Sequence, residues 1–251
     1  MLPTISFYII IFLYGIIIGS FLNVCIYRIP KKENIVTARS HCMECGTKLN
    51  WYELIPLFSW IALRGRCRTC KAGISVQYPI IEGLNGVLWV IVFAVYGFGV
   101  ETVLYCFAAS ALVALSVIDF RTFEIPVGFN LIIMGLGLIH VLTDLSDWQE
   151  YAIGFFAVSA PLYILYLLTG GRGIGGGDIK LMAAAGLLLG WKLIILAFLI
   201  GCIAGSVIHL LRMRVSGAER VLAMGPYLSA GIFIAALWGD RLIAWYLGFY
   251  G

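Results

Sequence analysis

Long apolar runs cover most of this 251-residue chain and constrain its fold more than any other feature. Hydrophobic residues make up 62% of the sequence and charged residues only 12%, which leaves too little polar surface for a soluble globule. The runs occupy residues 5–27, 80–97, 100–118, 127–143, 151–169, 179–211 and 225–249. Most of them reach the length of about 20 residues that a membrane-spanning helix needs. The sequence therefore predicts an all-α polytopic membrane protein.

The run at 179–211 is too long for one untilted crossing, and the residues 190–192 (GWK) interrupt it. Dividing it there gives about eight transmembrane helices. With both termini outside, this arrangement puts nearly all of the 17 lysines and arginines on the inner side, as the positive-inside rule expects. If the short segment 178–190 does not cross, the later spans invert and basic residues such as Arg220 move outside. The net charge of +4 comes from the inner loops, so no nucleic-acid partner is expected.

The polar segment at residues 28–79 is a second informative feature, because it contains two CxxC pairs separated by 21 residues. The pairs are Cys42 with Cys45 and Cys67 with Cys70. Four thiolates in this pattern are typical of a tetrahedral zinc site. Gly46 and Gly73 follow the pairs and are expected to relieve the tight turns. Such a short segment has little core, so we expect the zinc to be structural. Two redox-active dithiols are the alternative, and they would indicate a membrane thiol oxidoreductase.

These features divide the chain into a first transmembrane helix at residues 1–27, a zinc-ribbon-like cytoplasmic loop domain at 28–79 and a transmembrane region at 80–251. Two aspartates of that region, Asp119 and Asp178, lie at the ends of apolar runs on the predicted inner side. Ionisable groups at membrane depth are costly and invite a functional explanation. Two carboxylates that lie close together share a proton, so one can activate water while the other protonates a leaving amine.

Structural roles are the alternative for both aspartates. Asp119 could pair with Arg121, and Asp178 could cap the helix that follows it. Cation binding by a transporter or channel is a third hypothesis, although midplane carboxylates would suit it better than carboxylates at the ends of spans.

A glycine-rich segment, GGRGIGGG at residues 170–177, directly precedes Asp178. Glycine permits unusual backbone dihedrals and lets an extended substrate approach without obstruction by side chains. Gly175, Gly176 and Gly177 are therefore expected to form a substrate-facing loop. Phosphate binding is not indicated, because the Lys-Ser/Thr of a phosphate-binding loop is absent.

Several motifs occur along the chain in a characteristic order: GSFLNVCIYRIP at 19–30, the paired CxxC loop, LRGRC at 63–67, Tyr78-Pro79, DFRTFEIP at 119–126 and GGGDIKL at 175–181. Together they closely resemble the motifs of type IV prepilin peptidases, over nearly the whole chain. The resemblance implies a GxGD-type aspartic endopeptidase of the bacterial cytoplasmic membrane. It puts the catalytic pair on Asp119 and Asp178, the motif glycines on Gly175 and Gly177, and the peptidase domain at 80–251.

The resemblance also implies a substrate and a second activity. Such enzymes cleave the basic leader of membrane-bound prepilins or pseudopilins after a glycine, and many then methylate the new amino terminus with S-adenosylmethionine. Because this chain keeps the cysteine loop, we expect both activities. No nucleotide-binding motif locates the methyl donor. Glu82, at the inner start of the second span, is a candidate contributor, and a carboxylate that snorkels to water is the alternative.

Overall fold

The computed structural model describes residues 4–36, 39–216 and 222–249, and its regular structure is helical. The α-helices are α1 (Ile5–Arg28), α2 (Phe58–Ala62), α3 (Gln77–Tyr96), α4 (Val100–Thr122), α5 (Val127–Thr143), α6 (Trp148–Ala157), α7 (Ser159–Thr169), α8 (Gly176–Leu189), α9 (Trp191–Ser216) and α10 (Gly225–Leu247). Two short 3-10 helices lie at Trp51–Leu54 and Leu145–Asp147. Within the described ranges the only β-structure is a pair of isolated bridges. The all-α class is therefore confirmed.

Six helical stretches are long and apolar enough to cross a membrane: Ile5–Arg28, Gln77–Tyr96, Val100–Thr122, Leu145–Thr169, Trp191–Val215 and Gly225–Leu247. The protein is thus a multi-pass membrane protein. Helices α5 and α8 are shorter, with 17 and 14 residues. At 1.5 Å per residue α8 extends about 21 Å, against a hydrocarbon core of about 30 Å. The predicted number of eight is therefore approximate, and the inner placement of the residues after α8 stays a prediction. Arg220 lies outside the described residues.

The break between α8 and α9 falls at Gly190, where the sequence analysis divided the long run. Gly190 has φ +80°, a conformation that costs glycine little and other residues more. Its N–H donates to the Gly186 carbonyl at 2.9 Å and so closes the end of α8.

The chain divides into two compact units, Met1–Ser110 and Ala111–Gly251. In the amino-terminal unit, α1 packs closely on α3. A Cβ atom added to Gly15 would lie 2.7 Å from the Cα of Gly86, and one added to Gly19 would lie 2.8 Å from the Cα of Glu82. Small residues four positions apart let two membrane helices approach in this way. The buried Asn85 side chain then donates to the Gly15 carbonyl at 2.8 Å and ties the two helices together.

In the carboxy-terminal unit, α8 is surrounded by protein, because it contacts α5, α6, α7, α9 and α10. A Cβ atom on Gly137 of α5 would lie 3.0 Å from the backbone nitrogen of Leu188, so α5 needs a glycine there. The ring Nδ1 of His140 lies 2.8 Å from the Leu188 carbonyl oxygen. Neighbouring helices therefore surround this short helix, and the His140 ring lies within hydrogen-bond distance of a carbonyl near its end. For this reason α8 does not need the length of a lipid-exposed span.

Candidate active site and cysteine cluster

Asp119 lies on the last turn of α4 and is only 4% exposed, next to the buried side chains of Leu115 and Ile118. Its Oδ2 accepts a hydrogen bond of 2.8 Å from the backbone N–H of Gly225, the first residue of α10. The amino terminus of a helix favours a negative charge. The carboxylate of Asp119 is therefore held in place by the start of a helix far away in sequence.

The end of α4 fixes the backbone around Asp119. Phe123 adopts a left-handed φ of +55°, and its N–H donates to the Asp119 carbonyl at 2.8 Å. Pro126 precedes α5 in an extended conformation and cannot continue a helix of α4. The chain thus turns sharply one residue beyond α4.

Asp178 is the third residue of α8 and is partly buried. Its carboxylate accepts a hydrogen bond from the backbone N–H of Gly175, the residue that caps α8. A Cβ atom on Gly175 would lie 2.9 Å from the Asp178 Oδ2. The side chain therefore folds back over the helix start, and its second carboxylate oxygen is left for other partners. The capping alternative had Asp178 before its helix, whereas α8 begins two residues earlier, at Gly176, and is capped by Gly175.

Asp119 and Asp178 lie near enough for the charge of the Asp119 carboxylate to act on that of Asp178. Two carboxylates that interact in a partly buried site do not both ionise cheaply and tend to share a proton. The geometry is thus suited to acid–base chemistry, and the catalytic role of the pair stays a prediction.

The three glycines before Asp178 have different surroundings, and the expectation of a loop is wrong for Gly176 and Gly177, because they are the first two residues of α8. A Cβ atom on Gly177 would lie 3.0 Å from the Cβ of Ile125, whereas one on Gly176 would meet nothing within 4 Å. The positive φ angles of the glycine-rich segment occur at Gly170 and Gly171 and not at the motif glycines. Gly175 and Gly177 therefore allow close approach of Asp178 and Ile125, and their backbone dihedrals are ordinary.

The four loop cysteines form a single cluster in the amino-terminal unit, with all four sulfur atoms within 4.8 Å of one another. Cys42 Sγ lies 3.8 Å from Cys70 Sγ, and Cys45 Sγ lies 4.0 Å from Cys67 Sγ. Sulfurs bound at about 2.3 Å to one tetrahedral ion are separated by about 3.8 Å. The donor set and its spacing therefore fit a tetrahedral metal ion.

The two CxxC pairs are built on the same plan. The N–H of Gly46 donates to the Cys42 carbonyl at 2.9 Å, and the N–H of Lys71 donates to the Cys67 carbonyl at 3.0 Å. Gly46 and Lys71 both have left-handed φ angles, +69° and +62°. The expectation that Gly73 relieves the second turn is wrong, because Lys71 takes the left-handed position.

The cluster thiols differ in acidity. Hydrogen bonding with the side chain and backbone of Thr47 lowers the pKa of Cys45 to about 6. A backbone hydrogen bond from Ala72 lowers the pKa of Cys70, but desolvation and the neighbouring thiols outweigh it and raise that pKa to about 12. Four thiolates around one point repel each other, so full ionisation near neutral pH requires a cation at the centre.

Glu82 lies near the start of α3 and is only 6% exposed. Its Oε2 accepts a hydrogen bond of 2.7 Å from the backbone N–H of Leu57 in the cysteine loop. The Ser20 side chain of α1 also hydrogen-bonds to this carboxylate. The side chain is buried and does not extend to water, so the snorkelling interpretation is wrong.

Comparison with known proteins places these sites in a family. Residues 13–96 match the bacterial peptidase A24 N-terminal domain, and residues 106–210 match the type IV leader peptidase family. A prepilin leader peptidase/N-methyltransferase of Aeromonas salmonicida is 34% identical over 270 residues, which cover 95% of this chain and 93% of the relative. The chain belongs to the type IV leader peptidase family.

Two further relatives of this leader peptidase family carry the same name. The protein of Pseudomonas aeruginosa is 32% identical, over 95% of this chain and 93% of its own length. That of Legionella pneumophila is 30% identical, over 97% of this chain and 95% of its own length. No solved structure matches the chain. The resemblance stated from the motifs is confirmed.

Sequence reasoning missed one residue of the aspartate site, Gly225. Gly225-Pro226 precedes an apolar run, and proline in the first turn is a signal for the start of a helix. That signal locates the beginning of α10. It does not reveal that the Gly225 N–H meets Asp119, since this contact joins residues 106 positions apart.

Proposed function

We propose that this chain is a membrane-embedded aspartic endopeptidase and N-methyltransferase. It cleaves the basic leader of type IV prepilins or pseudopilins after a glycine and methylates the new amino terminus. The observation that carries the proposal is the pair of carboxylates from α4 and α8, which interact within the segment that matches the leader peptidase family. The thiol oxidoreductase alternative is not supported, because the family and the named relatives are peptidases.

The proposed mechanism uses Asp119 and Asp178 as one acid–base unit in the 80–251 peptidase domain. The ionised member takes a proton from a water molecule, whose oxygen attacks the carbonyl carbon of the scissile bond. The protonated member then gives its proton to the leaving amine. Each carboxylate accepts a backbone N–H at a helix amino terminus, Asp119 from Gly225 and Asp178 from Gly175. These donors orient the two carboxylates and favour one negative charge on the pair.

The three glycines at the start of α8 have a positioning role in this proposal. Gly175 admits the Asp178 carboxylate, and Gly177 admits Ile125 from the turn after α4. Gly176 faces open space and is the position where an extended substrate backbone could approach. We place this site at the cytoplasmic side of the bacterial inner membrane, with both termini outside, from the distribution of lysine and arginine.

Two groups complete the proposed enzyme. Cys42, Cys45, Cys67 and Cys70 would hold a zinc ion, which would cross-link the two halves of the loop and take no part in hydrolysis. S-adenosylmethionine, when bound, would supply the methyl group: its sulfur–methyl bond breaks, a nitrogen–methyl bond forms at the new amino terminus, and that nitrogen loses a proton.

The peptidase proposal is tested with Asp119→Asn and Asp178→Asn in purified, detergent-solubilised protein. Asparagine keeps the shape of the side chain and its preference for helix starts, so the fold should persist. It cannot exchange the proton, and loss of a general acid or base costs about 10²- to 10⁴-fold. We expect each variant to cleave a prepilin with a basic leader at least about 100-fold more slowly than the unmodified protein.

The matched control is Asp147→Asn, at the exposed aspartate that ends the 3-10 helix before α6. It should cleave the prepilin at the unmodified rate. Normal processing by either Asp119→Asn or Asp178→Asn would remove the acid–base pair from the mechanism.

A further inference from the structure

The cysteine loop contains a pocket of about 340 Å³ that neither proposed activity uses, and its lining is cationic. Four of the six lining residues are positively charged, and the full lining is Leu63, Arg64, Arg66, Cys67, Arg68 and Lys71. None of the four cations forms an ion pair with a carboxylate of residues 4–36, 39–216 or 222–249. Arg68 donates to the Tyr52 hydroxyl, and all four cationic residues are exposed. Four cations around one hollow attract an anion, and we call this site the basic pocket.

Two cations of the basic pocket occupy strained backbone positions. Arg64 has φ +53° and Lys71 has φ +62°, in the left-handed region that favours glycine. Strained conformations in native proteins cluster at functional sites. Glycine at either position would relieve the strain but would remove a charge from the pocket. Both positions therefore combine backbone strain with a cation, which indicates a role for the charge.

The cysteine cluster accounts for only part of this positive charge. A zinc ion with four thiolates carries a net charge of about −2. Between residues 39 and 76, six lysines and arginines outnumber two glutamates. A positive excess of about two therefore remains when the cluster holds its metal. This excess is available to a second, anionic partner.

An exposed apolar face of α2 adjoins the basic pocket. Phe58 and Ile61 are 60% and 64% exposed, and their spacing of three residues puts them on one side of the helix. The Arg64 N–H donates to the Ile61 carbonyl at 3.0 Å, so the pocket begins one turn beyond this face. Apolar and basic residues arranged next to each other are typical of segments that lie in a membrane interface.

The depth of α2 agrees with such a position. The N–H of Leu57, which precedes α2, donates to the Glu82 carboxylate at 2.7 Å. Glu82 is the sixth residue of α3, a helix long and apolar enough to cross the membrane. The start of α2 therefore lies about 8 Å along α3 from its first residue. Interfacial helices lie about 5–10 Å deep, where the lipid head groups meet the acyl chains.

We propose that the basic pocket binds the phosphate of an anionic phospholipid of the inner leaflet, while Phe58 and Ile61 contact its acyl chains. Guanidinium groups bind phosphate oxygens through paired hydrogen bonds. Anionic lipids attract basic segments at the cytoplasmic membrane surface, the side on which the sequence predicts this loop. A free phosphate ion has the same chemistry, but it would not need the apolar face. The lipid holds the cysteine loop against the membrane, whether or not the proposed enzyme activities are correct.

The test measures lipid binding to the full-length, delipidated protein in detergent by native mass spectrometry, which also reports bound zinc and the number of subunits. Phosphatidylglycerol is the anionic probe, phosphatidylcholine the zwitterionic probe and glycerol phosphate the soluble probe. We expect phosphatidylglycerol to bind at least about tenfold more tightly than either of the others. Equally tight binding of glycerol phosphate would assign the pocket to a soluble phosphate and overturn the lipid.

The double variant Arg64→Gln, Lys71→Gln removes two charges from the pocket. Each cation near an anionic surface is worth about fivefold in binding, so phosphatidylglycerol should bind this variant about 25-fold more weakly. Lys31→Gln, Lys32→Gln is the matched control, because it removes two exposed charges that do not line the pocket. We expect the control to bind phosphatidylglycerol as the unmodified protein does. Equal weakening in both double variants would indicate a general positive field and overturn the pocket.

The double variant Phe58→Ser, Ile61→Ser keeps all four cations of the pocket. It should weaken phosphatidylglycerol about tenfold and leave glycerol phosphate binding unchanged. If it separates subunits and binds the lipid normally, the apolar face is a contact between copies of the chain and the lipid assignment is wrong. Retention of one zinc per chain shows that each variant is folded. If Arg64→Gln, Lys71→Gln loses zinc but keeps the lipid, the cations serve the cysteine cluster and the proposal is overturned.

Discussion

The cysteine cluster and the aspartate pair are both assembled from distant parts of the sequence, but their side chains are held in different ways. Each CxxC turn is closed by its own backbone hydrogen bonds, such as the bond from Gly46 to Cys42. Asp178 is held almost as locally, by Gly175. Asp119, by contrast, is held by the backbone of Gly225 at the start of another helix. Local turns prepare the metal ligands, whereas tertiary packing orients one half of the aspartate pair.

This difference indicates which substitutions should damage each site. The cluster depends on the chemical identity of its four ligands, because the turns form without remote support. The aspartate site also depends on residues with no reactive group, since Gly225, Gly175 and Gly177 leave the space that a carboxylate or a neighbouring side chain occupies. We therefore expect substitutions of ligands to break the first site and substitutions of glycines to break the second.

The largest effect is expected for Cys42→Ser. Structural zinc in cysteine sites is worth about 10–16 kcal/mol of binding free energy, and a serine hydroxyl is a poor replacement for a thiolate ligand. After dialysis against a mild chelator, the zinc content should fall from about one ion per chain to near zero, as measured by mass spectrometry of the metal. Cys202→Ser in α9 is the control and should retain the metal. Full zinc content in Cys42→Ser would show that the cluster does not hold the ion.

Gly225→Ala should have the next largest effect, on the aspartate site. The new Cβ would lie 2.7 Å from the Asp119 Oδ2 and 3.0 Å from its Cγ, so the carboxylate must move. A displacement of about 1 Å in an active site can cost about 100-fold in rate. We expect leader cleavage to fall about 10- to 100-fold with a near-normal KM. Gly135→Ala in α5, where an added Cβ meets nothing within 4 Å, is the matched control. Equal activity of the two variants would contradict the positioning role of Gly225.

A smaller effect should separate two adjacent glycines. Gly177→Ala puts a Cβ 3.0 Å from that of Ile125, whereas Gly176→Ala meets nothing within 4 Å. Because Gly177 packs α8 against the turn after α4, Gly177→Ala should lower kcat several-fold. Gly176→Ala, at the proposed approach of the substrate, should raise KM and leave kcat unchanged. The measurement is kcat and KM for both variants in parallel, and an unchanged KM in Gly176→Ala would contradict the approach of the substrate over that residue.

Much of this organisation could be predicted from the sequence because it depends on local patterns. The apolar runs predicted the long helices, and α5 lies at its predicted bounds of 127–143. The residues around Gly190 predicted the break between α8 and α9. The spacing of the cysteines predicted their cluster, since two CxxC pairs at this separation are typical of one four-thiolate metal site. Asp178 could also be assigned to a helix start from its position after the glycine-rich segment, although α8 begins within that segment, at Gly176.

The rest depends on tertiary contacts that no local pattern encodes. Gly225 has an ordinary helix-start sequence, and only packing within the carboxy-terminal unit puts its N–H against Asp119. Glu82 is held by the backbone N–H of Leu57, which the turn before α2 brings against its carboxylate. Lys71 was missed for another reason: propensity favours Gly73 for the left-handed position, but the hydrogen bond of each turn fixes that position directly after the second cysteine.

The two turns of the cluster offer the smallest and most symmetrical test. Gly46 and Lys71 share a left-handed φ, which costs residues other than glycine about 1 kcal/mol or more. Gly46→Ala should therefore lower, and Lys71→Gly raise, the free energy of unfolding of the loop by about 1 kcal/mol, with no new contact at Gly46 to complicate the comparison. The readout is the denaturant midpoint of zinc release. Lys71→Ala removes the charge without relieving the backbone and should leave the midpoint unchanged. If the midpoint of Lys71→Ala rose as much as that of Lys71→Gly, the effect at the second turn would come from repulsion among the loop's basic residues and not from backbone strain.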